Sequence, residues 1–138
     1  MSSDKHPKQP LRVGIAGLGV VGGEVARQLS HRGADIAGVA GRLFTITAVS
    51  ARSRNADRGF DMTGIAWVDN AADIAARDDV DIVVEMIGGE EGVALDLVRG
   101  ALSSGKHVVT ANKALLAHHG TELATLAEAN NVGLMFEA

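Results

Sequence analysis

At 138 residues and 46% hydrophobic content, the chain has apolar material for one core, and its length is that of one ordinary domain. A formal charge of −4 without any basic block argues against nucleic acid or an anionic membrane surface as the main partner, and points to a small soluble ligand. With no cysteine there is no disulfide, thiolate nucleophile or sulfur-ligated metal, and no apolar run reaches the roughly 18 residues of a membrane span, so the expected compartment is the cytoplasm.

The polar stretch 1–10, holding both prolines, has nothing to bury and reads as a disordered tail ahead of one domain over 11–138. Leu11 to Ala16 is an apolar run of strand type. After it Val20, Val21, Val25, Ala26 and Leu29 recur at helical spacing until Gly33. Leu43 to Val49 is a second strand, and Ser50 to Met62 a polar loop. Trp67 and Val68 form a short strand, and Asp69 is placed to cap a helix from Ala71 to Arg77. Asp81 to Ile87 is a buried type of strand. Ala94, Leu95, Val98, Ala101 and Leu102 then mark a helix that Gly105 stops, and Lys106 to Thr110 is the next strand. A helical region opens at Leu115 and Leu116, breaks near Gly120, and resumes through Leu123, Leu126 and Ala127 to Asn130-Asn131. Val132 to Glu137 is the last strand. Strands alternating with helices predict a Rossmann-type α/β fold: a doubly wound, mostly parallel sheet with helices on both faces. The chain stops at Ala138, directly at a strand end, where a continuation carrying a second domain is expected.

Gly17-Leu18-Gly19-Val20-Val21-Gly22 is G-x-G-x-x-G between a strand and a helix. Gly17 permits the tight turn, Gly19 lets the backbone approach a pyrophosphate, and Gly22 lets helix and strand pack closely, with amides at the helix start free for phosphate. The acidic residue that would hold a free ribose is missing from the end of the second strand, where Ser50-Ala51-Arg52-Ser53-Arg54 stands instead. A serine and a guanidinium suit a 2′-phosphate, so NADP is favoured over NAD, with Arg52 nearer the strand than Arg54.

Ligands on such sheets lie at the carboxyl ends of the strands, and two turns leave in that direction. Gly88 and Gly89 either allow close approach to the cofactor or form a flexible turn, and Glu85 is either a buried structural carboxylate or a functional contact. In Thr110-Ala111-Asn112-Lys113, Asn112 either orients a ligand group or caps the next helix. Lys113 contacts cofactor or substrate, transfers a proton at a carbonyl, or is a surface charge. His118 and His119, adjacent on a helix, point apart and are expected as exposed residues rather than metal ligands.

These motifs make the chain resemble the amino-terminal cofactor domain of homoserine dehydrogenase, from Leu11 through Ala138. The resemblance rests on the glycine turn, Ile46 to Arg52, Val83 to Gly89 and Gly105 to Lys113, the last two being the most specific. It implies an NAD(P)-dependent oxidoreductase that interconverts L-homoserine and L-aspartate 4-semialdehyde in the pathway to threonine and methionine. It places Leu18, Val20 and Val21 against the cofactor, Arg52 near the adenosine 2′-phosphate and Lys113 beside the nicotinamide. It makes Glu137 the start of a loop whose carbonyls hold a monovalent cation such as sodium. It also implies a homodimer or higher homo-oligomer, and a substrate domain with acidic residues and a second lysine that this chain does not contain, so the chain by itself is expected to be inactive. A cofactor domain from another amino-acid or semialdehyde dehydrogenase, and a non-catalytic NAD(P)-sensing module, are the competing readings.

Overall fold

The computed structural model describes residues 11–17, 44–50, 64–87 and 92–136. They build six strands: β1 (Leu11–Ala16), β2 (Phe44–Ser50), β3 (Ala66–Trp67), β4 (Ile82–Glu85), β5 (His107–Thr110) and β6 (Leu134–Phe136). Every pairing is parallel and the order is β3-β2-β1-β4-β5-β6, the Rossmann arrangement, with its switch point between β1 and β4. The expected fold class is therefore correct.

The strand runs are short and rich in β-branched residues, and their alternation sets the two faces. Ala16, Ala48, Val83 and Val108 face one layer, while Val13, Ile15, Val49 and Val84 face the other. Both sets are buried, as a parallel sheet requires. The first layer is supplied by a 3-10 helix (Ala71–Ala76), α1 (Val93–Ser103) and α2 (Lys113–Ala129), through Ile74, Leu97, Leu102, Leu115 and Leu123. Among the described residues no helix is long and apolar enough to cross a membrane.

Three local expectations change. Asn70, not Asp69, caps the 3-10 helix, its side chain accepting from Ala72 N–H at 3.1 Å, because the capping position is the residue directly before the first helical one. The helix near Gly120 does not break: α2 runs 17 residues through it. One glycine costs a helix about 1 kcal/mol, which the buried Leu115, Leu123 and Ala127 on either side outweigh. The strand expected over Asp81 to Ile87 closes at Glu85, whose own carboxylate takes the Ile87 N–H. Gly105 does stop α1, at φ +80°, with its N–H donated to Leu102 O.

Ion pairs tie the periphery. Arg12 grips Asp81 through two nitrogens at 3.0 and 2.9 Å, at the amino ends of β1 and β4. Arg77 hydrogen-bonds Asp79 and Arg99 hydrogen-bonds Glu122 from α1 to α2, and each guanidinium holds its partner's carboxyl below the ordinary carboxylate range.

Candidate functional site

Parallel register aligns the strand ends. Ser50, Ala16, Glu85, Thr110 and Phe136 are successive partners across β2, β1, β4, β5 and β6, and they form the carboxyl edge of the sheet. Of the buried polar or charged residues among those described, Ser50, Glu85, Thr110 and Asn112 all lie on this edge, and only Lys106 lies elsewhere. Buried polar groups are costly unless hydrogen-bonded, so their concentration at one edge marks it for something other than packing.

At the switch point, β1 ends in Gly17 with φ +91°, its N–H donated to Ser50 O at 2.7 Å. Met86 N–H is donated to Ala16 O at 2.9 Å, and a Cβ built on Gly17 would lie 2.9 Å from the Met86 carbonyl carbon and oxygen. Only glycine takes this backbone angle and this closeness together, as a phosphate-binding first turn demands.

The next two strand ends are wired to each other. Glu85, wholly buried, accepts Ile87 N–H on Oε2 at 2.8 Å and the Thr110 hydroxyl on Oε1 at 2.5 Å. Thr110 Oγ1 in turn accepts Asn112 N–H at 3.0 Å, and Asn112 Oδ1 accepts Leu115 N–H at 2.9 Å, capping α2. Of the two roles open to Asn112, the capping one is present. Lys113 follows as the first residue of α2 and is exposed. A cation at a helix amino terminus opposes the macrodipole, so helix stability does not account for it.

Ser50, Gly17, Asn112 and Lys113 thus share one edge, whereas Leu18, Gly19, Val20, Val21, Gly22, Arg52, Gly88, Gly89 and Glu137 lie outside the described residues. His118 and His119 sit on α2 with ring centroids 6.5 Å apart, and His119 Nδ1 stands 3.7 Å from Glu122. The Glu85–Thr110 bond was not anticipated. Its signal is the repeated Val-Val-polar ending of Val83-Val84-Glu85 and Val108-Val109-Thr110, which pair in that register.

A family model described as "Homoserine dehydrogenase, NAD binding domain" matches residues 17–137. The chain belongs to that family. A homoserine dehydrogenase of Neisseria gonorrhoeae is 42% identical over 130 residues, covering 94% of this chain and 29% of that protein. The crystal structure of a homoserine dehydrogenase from Thiobacillus denitrificans superposes with a TM-score of 0.84 at 37% identity, covering 95% of this chain and 30% of that one. A Staphylococcus aureus homoserine dehydrogenase structure gives 0.82 at 35% identity, covering 96% and 33%. The chain thus spans under a third of the length of these relatives. As the NAD-binding domain of the homoserine dehydrogenase family, it takes a nicotinamide cofactor. The left-handed Gly17 turn and the buried polar edge at the switch point fit that group.

Proposed function

We propose that this chain is the cofactor-binding part of a homoserine dehydrogenase that interconverts L-homoserine and L-aspartate 4-semialdehyde. The observation that carries the reading is the Asn112–Lys113 turn, bonded through Thr110 to Glu85 at the carboxyl edge of a sheet of this family. A bound nicotinamide supplies or accepts the hydride. The chain's own residues bind and orient. Backbone amides of the Gly17, Leu18, Gly19, Val20, Val21 and Gly22 turn hold the pyrophosphate. Ser50 and Arg52 take the adenosine ribose, where a guanidinium fork favours a 2′-phosphate and hence NADP over NAD. Gly88, Gly89 and Asn112 border the nicotinamide. Lys113, at the start of α2, places its ammonium toward cofactor or substrate, either as a fixed charge or as a proton donor.

The remaining assignments belong to the longer polypeptide. It would be a cytoplasmic homodimer or higher homo-oligomer, with the backbone at Glu137 helping to hold a monovalent cation such as sodium. This chain alone would bind cofactor without turnover. The test has two arms. NADPH and NADH are titrated against the chain before and after Arg52→Ala, with loss of the NADPH preference expected; an unchanged preference removes Arg52 from the site. The polypeptide extended past Ala138 is assayed for NADP-dependent oxidation of L-homoserine, and tight cofactor binding without turnover would overturn the assigned reaction.

A further inference from the structure

We propose that Glu85 is a positioning residue that holds the two turns bordering the nicotinamide as one unit, a reading that rests on the cofactor placement above. Its side chain accepts from the residue before each functional turn: Ile87 N–H, just ahead of Gly88-Gly89 in sequence, and the Thr110 hydroxyl, which leads to Asn112 and Lys113.

Hydrogen-bond direction makes the arrangement specific to a carboxylate. Thr110 has one hydroxyl proton. Its oxygen already accepts Asn112 N–H, and the proton goes to Glu85 Oε1. Ile87 N–H has no freedom of direction and goes to Oε2. An amide at position 85 offers one acceptor where two are used, so it keeps the shape and loses one turn or the other. Val83 and Val84, the preceding residues of β4, show what the strand uses when only packing is required. A wholly buried carboxylate is an expensive replacement for a third valine, unless fixing the two turns is its task. The link spans 25 positions of sequence and adds a side-chain bond between Glu85 and Thr110, the last paired residues of β4 and β5, to the backbone ladder of the two strands.

The experiment uses this 138-residue chain, its Glu85→Gln variant and its Thr110→Val variant. Each is titrated with NADPH and with 2′-phospho-ADP-ribose, which lacks the nicotinamide; NADH and ADP-ribose replace them if the chain prefers NADH. The wild-type chain should bind the whole dinucleotide more tightly than the truncated ligand. Both variants should weaken dinucleotide binding by about tenfold while changing the truncated ligand by less than about twofold. Equal losses for the two ligands would make Glu85 a general structural residue and overturn the proposal, as would unchanged binding of both. Thr110→Val probes the same bond from its other end, should Glu85→Gln fail to fold. A wild-type chain that binds neither ligand would instead overturn the cofactor placement itself, and this proposal with it.

Discussion

Gly17→Ala is the substitution whose consequences follow most directly from the structure. Two separate costs arise. The residue sits at φ +91°, where a side-chain-bearing residue costs about 1–3 kcal/mol. The new Cβ also falls 2.9 Å from the Met86 carbonyl carbon and oxygen and 3.1 Å from Ile87 N, all backbone atoms that cannot rotate away, and overpacking of this kind costs about 1–3 kcal/mol. The sum, about 2–6 kcal/mol, is a large part of the stability of an ordinary domain, about 5–15 kcal/mol. With a urea dependence of about 2 kcal/mol per molar, the midpoint should fall by about 1 M or more. The easiest relaxation moves the β1 turn away from the β4 turn, stretching the Gly17–Ser50 and Met86–Ala16 bonds. Cofactor affinity, read by fluorescence titration under conditions where the variant remains folded, should therefore fall as well. A variant with the wild-type urea midpoint and the wild-type Kd would refute the close approach of these two turns and the role given to Gly17.

Other outcomes are expected. Gly120→Ala should stabilise the chain by about 0.5–1 kcal/mol in the same urea assay, since its Cβ would meet nothing nearer than Leu116 Cβ at 4.0 Å in the interior of α2. Asn112→Ala should cost about 0.5–2 kcal/mol through the lost cap on Leu115 N–H, while Asn112→Asp, which keeps an acceptor there, should cost less; equal losses would show that the cap is not the stabilising contact. Asp79 and Glu122 have folded-state pKa values depressed by hydrogen bonds from Arg77 and Arg99, so their contribution is complete above the unfolded value of about 4 and is lost as pH falls through the folded one. Urea midpoints measured from pH 6 to pH 3 should drop less steeply in an Asp79→Asn, Glu122→Gln double variant than in wild type, by a small margin because both carboxylates are partly solvated.

The legible parts of the sequence were those governed by local pattern. β1, β2, β5 and α1 follow from β-branched runs, helical spacing and a terminating Gly105, and the parallel sheet follows from their alternation. What escaped was set by tertiary contact. Gly120 weakens a helix by its own preference, but the core contacts of Leu115 and Leu123 hold α2 through it. Glu85 read equally as a structural or a functional carboxylate, because its role depends on Thr110, 25 positions away, and only strand register brings them together. Lys113 was conspicuous from its place in the turn after a β-branched strand, and the structure makes it the exposed first residue of a helix that Asn112 caps.

The Arg12–Asp81 clasp has a consequence for how the chain is made. β1 is central in the sheet, but its β4 neighbour arrives with Asp81, 69 positions later. At translation rates of about 5–20 residues per second, one edge of β1 waits roughly 3–14 s for its partner. Throughout that interval Leu11–Ala16 is an apolar strand with an open side, and Arg12 is its only charged residue. The cation that later closes on Asp81 also discourages a second nascent chain from pairing there first.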